Sequence, residues 1–138
     1  MIMSETNLRY KKILLINLPG VEQSGYKPTP LGLLYLASYL KSLLPGLSLD
    51  IIDGAIDGEE ATIKKIKIFK PDLIGISVLT PSRHQSVKIA KIVKKYCPHS
   101  KIVLGGIHPT LMWQQMMEHY PVIDFIIKGE GEITLYEL

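Results

Sequence analysis

Three observations predict a doubly wound α/β domain, with a five-stranded parallel sheet in the order 2-1-3-4-5 and helices on both faces. The stretch Pro71 to Ser82, PDLIGISVLTPS, carries Leu73, Ile74, Ile76 and Val78 in an apolar run broken only by small residues, as a parallel strand covered on both faces does. Other apolar runs on either side of it alternate with stretches of helical periodicity, so the chain reads β then α throughout. Parallel crossovers are right-handed and successive strands tend to be neighbours, which makes this order, with its switch point between the first and third strands, the simplest solution.

Lys12 to Leu18 is the first strand, closed by Pro19-Gly20. The loop from Pro19 to Thr29, with Gly20, Gly25, Tyr26 and Pro28, is long for a strand-to-helix connection and is expected to overhang the ligand edge. Thr29-Pro30 reads as an N-cap followed by proline at the first helical position, and Leu31, Leu34, Leu36, Ala37, Leu40, Leu43 and Leu44 recur at helical spacing until Pro45-Gly46. Leu47 to Asp53 is the second strand, with Asp53-Gly54 as its turn signal. A shorter helix follows from about Glu59 to Phe69, acids first and lysines last, as the helix dipole favours.

After the central strand, Ser82 is expected to cap a helix reaching about Tyr96, with Val87, Ala90, Val93 and Tyr96 inward and the lysines outward. Lys101 to Leu104 is the fourth strand, ending in Gly105-Gly106; Pro109-Thr110 opens a helix through Met117. Val122 to Ile127 is the fifth strand, followed by Gly129-Glu130-Gly131-Glu132 and a helix beginning at Ile133. The whole is a Rossmann-like arrangement of flavodoxin type, with residues 1–11 as a tail and 12–138 as the domain. So short a final helix has little stability alone, so the sequence reads as the N-terminal piece of a longer protein.

At 138 residues, 46% of them hydrophobic and 21% charged, the chain has the length and composition of one globular domain, large enough to bury a real core. A single cysteine, Cys97, can form neither an internal disulfide nor a metal cluster, which points to a reduced, cytoplasmic setting. Neither a signal-peptide core nor an apolar run of about 18 residues occurs, so no membrane role is expected. The net charge of +3 comes mainly from lysines spaced along two helices without interleaved aromatic platforms, a pattern of solvated helix faces rather than of nucleic-acid binding.

Open α/β sheets bind ligands outside the carboxyl ends of their strands. That edge collects Asn17, the first loop, Asp53-Gly54, Ser77 to Ser82, Gly105 to His108 and Gly129 to Glu132. Glycines there would let a bulky ligand approach the backbone, and Ser77 and Thr80 could supply directional hydrogen bonds. Taken singly, each glycine is equally a strand-end punctuator; three glycine-bearing strand ends side by side point to a site. A dinucleotide site is not encoded, since G-x-G-x-x-G is missing after the first strand, and neither is a phosphate loop. A phosphoacceptor domain would place acids where Asn17 and Ser77 stand.

PTPLGLLYLASYL (28–40), IID (51–53), PDLIGISVLT (71–80), IVLGGIHPT (102–110) and DFIIKGEGEITLYEL (124–138) together carry a resemblance. The chain resembles the cobalamin-binding domain that precedes the catalytic barrel in cobalamin-dependent radical SAM enzymes. The resemblance implies that the cofactor's nucleotide tail lies in the groove between the first and third strands. Ser77 and Leu79 would line its pocket with Thr80 nearby, Gly105 and Gly106 would leave room for it, and the turn of Gly129, Glu130 and Gly131 would close its far side. It also implies a downstream radical SAM barrel in the same chain, holding S-adenosylmethionine and an iron-sulfur cluster that one cysteine here could not supply. The domain alone should not turn over; the full protein would transfer a methyl group or assist a cyclisation.

One departure from other cobalamin proteins matters. The D-x-H-x-x-G motif, whose histidine replaces the lower cobalt ligand, reads Asn17-Leu18-Pro19-Gly20-Val21 here, so base-off cobalamin without a protein imidazole is expected. A cobalamin-free lid or docking domain, and a flavin or nucleotide module, are the alternatives. His99 and His119 read as exposed, while His84 sits close enough to the edge to touch a ligand. His108 is weighed more as a loop-structuring imidazole than as a direct contact, and stays among the candidates. Glu130 and Glu132 fit helix-dipole and capping roles of roughly 0.3–1 kcal/mol each better than acid/base chemistry.

Overall fold

The computed structural model describes residues 8–20, 25 and 27–138. Five parallel strands form one sheet in the order β2-β1-β3-β4-β5, as expected. They are β1 (Lys12–Asn17), β2 (Ser48–Asp53), β3 (Leu73–Ser77), β4 (Lys101–Gly105) and β5 (Phe125–Ile126). The helices are α1 (Leu31–Leu43), α2 (Gly54–Phe69), α3 (Arg83–Tyr96), α4 (Ile107–His119) and α5 (Glu132–Glu137), with a short 3-10 turn at Thr80–Ser82. None of these helices is long and apolar enough to cross a membrane among the described residues. The expected course of the loop over the ligand edge, with Tyr26, lies outside the described residues.

The strands are buried on both faces because successive side chains point to opposite sides. Leu14, Ile16, Ile74, Ile76, Ile102 and Leu104 pack with α2 and α3 through Ile66, Ile89 and Val93. Ile13, Leu15, Leu73 and Val103 pack on the other side with Leu33, Ala37 and Leu40 of α1 and Leu135 of α5. Two cores thus sandwich the sheet, and the residue parity at each strand end decides which core it faces.

Several boundaries differ from expectation for local reasons. Pro30, not Thr29, occupies the capping position of α1, and the Thr29 carbonyl accepts from Leu31 N–H at 2.8 Å. Within α1 the buried stripe is Leu33, Ala37 and Leu40, whereas Leu31 and Leu34 are exposed; the run of leucines is too dense for spacing alone to set its phase. The second helix starts at Gly54 rather than Glu59, because Asp53 Oδ1 caps Ala55 N–H at 3.0 Å and Gly58, at φ 87°, joins a first turn to the rest. Ser82 spends its hydroxyl on the backbone of Leu79 and does not cap α3.

Tyr96 faces outward, its ring beside Lys67 Nζ at 4.1 Å and Lys95 Nζ at 5.4 Å, an environment that suits an aromatic ring with two cations at hand. Helix α4 starts two residues before Pro109. The fifth strand shrinks to two residues, since Val122 lies in the turn that precedes it.

At the opposite, amino edge, Asp124 accepts from Lys94 Nζ at 2.8 Å, Lys101 Nζ at 3.1 Å and Ile102 N–H at 2.9 Å. Burial alone would raise its carboxyl, but these donors outweigh it and hold the pKa below the ordinary value. A carboxyl lowered in the folded state contributes stability above its unfolded pKa of about 4, and that contribution is lost as pH falls through the folded value. Asp124→Asn should therefore cost about 2 kcal/mol at pH 7. Urea denaturation at a series of pH values should show the gap to the parent chain closing below about pH 4; a gap constant with pH would contradict this assignment.

Candidate functional site

The carboxyl ends of β1, β3 and β4 open into a cleft of about 500 Å³ on the face covered by α1 and α5. Its floor is two rows of register partners: Leu15, Gly75 and Val103 lie deeper, and Asn17, Ser77 and Gly105 lie at the edge. Gly32, Leu33 and Leu36 of α1 form one wall, and Ile127, Gly131 and Leu135 form the other. Ile107 and Thr110 of α4 bound the end near β4. The walls are mostly apolar with a few polar groups at the mouth, the make-up of a small-molecule site.

The three floor glycines do different jobs. A Cβ on Gly75 would come within 2.7 Å of Leu15 Cδ2, so the deep floor is already filled by a neighbouring side chain. A Cβ on Gly106 would meet the Val78 carbonyl oxygen at 2.8 Å, and its φ of 102° with ψ of −175° is a conformation that glycine alone adopts readily. Gly106 therefore shapes the turn into α4. A Cβ on Gly105 would meet nothing within 4 Å, so its missing side chain is open space belonging to the cleft.

Two side chains set the polar groups. Asn17 Nδ2 donates to Asp53 Oδ1 at 2.8 Å, which fixes the orientation of the Asn17 amide beside Ser77. Asp53 Oδ2 is buried with no hydrogen-bond partner among the described residues. Thr110 Oγ1 donates to the Gly106 carbonyl at 2.8 Å and accepts from Gly129 N–H at 3.0 Å. Neither Asn17 nor Thr110 stood among the site residues predicted from sequence. In the sequence Asn17 stood at the carboxyl edge in place of an aspartate, and Thr110 read as part of a helix start at the end of a motif.

Of the predicted residues, Ser77, Gly105, Gly106, Gly129, Glu130 and Gly131 line the cleft. Leu79, Thr80 and His108 lie outside its lining. Leu79 is exposed at the end of β3. His108 is buried, its Nδ1 3.2 Å from Thr80 Oγ1 and its backbone N–H bonded to the Val78 carbonyl, so it staples the loop after β3 to the start of α4. Burial, helped by nearby Arg83 and His84, lowers its pKa below the ordinary histidine value, and the ring is neutral near pH 7. His84 borders a separate surface groove with lysines of α3. No histidine lines the cleft among the described residues, and no group of three His, Cys, Asp or Glu there could hold a metal ion.

The sequence model of the B12 binding domain family matches residues 18–138. The chain belongs to the B12-binding domain family. Among its relatives, this B12-binding domain is 36% identical over 140 residues to a protein of Pyrococcus horikoshii described as the uncharacterized methyltransferase PH0819, covering 95% of this chain and 29% of that one. It is 37% identical over 123 residues to the anaerobic magnesium-protoporphyrin IX monomethyl ester cyclase of Rubrivivax gelatinosus, covering 86% of this chain and 21% of the cyclase. Among solved structures it is similar to OxsB, a cobalamin-dependent S-adenosylmethionine radical enzyme determined with aqua-cobalamin and S-adenosylmethionine bound, with a TM-score of 0.80 and 26% identity. That match covers 94% of this chain and 18% of OxsB. The B12-binding domain thus spans less than a third of the length of these relatives.

The residues present fit a corrinoid tail. The flat aromatic base of such a tail needs an apolar slot without protruding side chains, and the open Cβ direction of Gly105 lies in a cleft that Leu33, Leu36 and Leu135 also line. The tail's sugar and phosphate need hydrogen-bond partners at the mouth, where the Asn17 amide, the Ser77 hydroxyl and the backbone around Gly129 stand.

Proposed function

We propose that this B12-binding domain holds cobalamin base-off, with the nucleotide tail in the cleft between β1, β3 and β4, as the cofactor module of a radical SAM enzyme. The observation that carries this reading is the vacant Cβ direction of Gly105 in an apolar cleft at the carboxyl edge with no imidazole among its lining residues. Ser77 and the amide of Asn17 orient the tail, the α1 leucines and Leu135 exclude water from its base, and the Gly129 to Gly131 turn covers its side. Leu79, exposed at the end of β3, offers apolar contact to the corrin ring above. Cobalamin bound here would supply a methyl group, or assist a ring closure, for chemistry performed in a downstream radical SAM barrel with its S-adenosylmethionine and iron-sulfur cluster.

The test is to mix the purified chain with hydroxocobalamin, desalt it and record the ultraviolet-visible spectrum of the protein fraction. A retained chromophore of base-off form is expected. A colourless fraction from folded protein would overturn cobalamin binding by this chain, and a base-on spectrum would overturn the tail-in-cleft geometry.

A further inference from the structure

Ile127 and Leu135 anchor the far wall of the cleft in the core, and an exposed turn joins them. Strand β5 pairs with β4 through Phe125 and Ile126, with flanking bonds from Asp124 N–H to the Ile102 carbonyl at 3.0 Å and from Ile127 N–H to the Leu104 carbonyl at 2.9 Å. The chain then leaves the sheet through Lys128, Gly129 and Glu130, all exposed, before Gly131 begins α5. Gly129 has φ 72°, a turn conformation that glycine enters and leaves easily. Among the described residues, the hydrogen bond that ties this turn to another element is the one from Gly129 N–H to Thr110 Oγ1, at 3.0 Å.

The same Thr110 oxygen donates to the Gly106 carbonyl at 2.8 Å, one helical turn back. Gly106 is itself locked, with φ 102° and no room for a Cβ against the backbone of Val78. One hydroxyl thus connects a rigid glycine turn at the end of β4 to a loosely held one after β5. Thr110 also lines the cleft, so the length of this connection sets the spacing between the Gly105–Gly106 side and the Gly129–Gly131 side.

We propose that Thr110 is a positioning residue for the cofactor, a latch that holds the Gly129–Gly131 turn at the spacing the tail requires. The inference rests on the tail-in-cleft reading above. A hydroxyl is needed because the position must donate to one carbonyl and accept from one N–H, which neither an aliphatic side chain nor a lysine can do. Serine satisfies both requirements; valine keeps the shape of threonine and satisfies neither.

Hydroxocobalamin retention by the 138-residue chain, measured by equilibrium dialysis, should be about tenfold weaker in Thr110→Val and restored to within about twofold in Thr110→Ser. Amide hydrogen exchange in the cofactor-free chain should show Gly129 losing protection in Thr110→Val and regaining it in Thr110→Ser. Unchanged protection of Gly129 in the valine variant, or equal loss of retention in both variants, would overturn the latch. If the parent chain retains no cobalamin, the tail-in-cleft reading fails and, with it, the cofactor-positioning role of Thr110; the Gly129 exchange comparison still reports whether the wall is tied.

Discussion

Replacing Gly105 with leucine should weaken cobalamin binding on the order of a hundredfold and leave the fold intact. A Cβ at this position meets no protein atom within 4 Å, so the added side chain enters the cleft without displacing its walls. Gly105 is the register partner of Ser77 on the floor and faces the space assigned to the tail. A ligand that must share a filled slot pays overpacking costs of about 1–3 kcal/mol or is excluded outright, so affinity should fall on the order of a hundredfold. Equilibrium dialysis against hydroxocobalamin measures the loss, and a thermal melt within about 2 °C of the parent verifies the fold. Retention of cobalamin by a folded Gly105→Leu chain would mean that the tail lies elsewhere.

The adjacent glycine behaves in the opposite way. Gly106→Ala should destabilise the chain by about 3 kcal/mol, lowering Tm by roughly 10 °C, whether or not cobalamin binds. The added methyl would approach the Val78 carbonyl oxygen to 2.8 Å and the Val78 nitrogen to 3.1 Å, both backbone atoms that cannot swing aside. The φ of 102° adds strain for any side chain. Loss of this turn also frees the carbonyl that Thr110 holds and the Val78 backbone that pairs with Gly105 and His108. Urea denaturation gives the magnitude; a Gly106→Ala chain as stable as the parent would show that the turn tolerates another conformation. Two neighbouring glycines in one motif are therefore predicted to separate, one reporting on the ligand and the other on the fold.

This separation marks where reading residues along the chain stops. The motif GGIHPT showed that small residues cluster after β4, but Gly105 and Gly106 are indistinguishable in a sequence, and only the backbone conformation of each assigns its job. Parity sets a similar limit at β3. Ser77 faces the cleft side and Val78 the opposite core, while Leu79 and Thr80 fall outside the cleft because the chain turns there toward α3, and the His108 ring meets Thr80 there. Asn17 and Thr110 gain meaning from partners 36 and 19 residues away, Asp53 and Gly129, and no local pattern encodes those distances.

The sequence by itself determined the strand order, the gathering of small residues at the carboxyl edge, and the family. Apolar runs, crossover handedness and glycine-rich strand ends are local or topological rules, and they apply before any packing is known. The phase of the leucines on α1, the outward turn of Tyr96, the face on which the cleft opens, and the division of labour among its glycines were decided by tertiary structure alone. Each depends on which atoms meet across elements distant in the chain, and a missing Cβ is a cavity or a close contact only according to what stands opposite it.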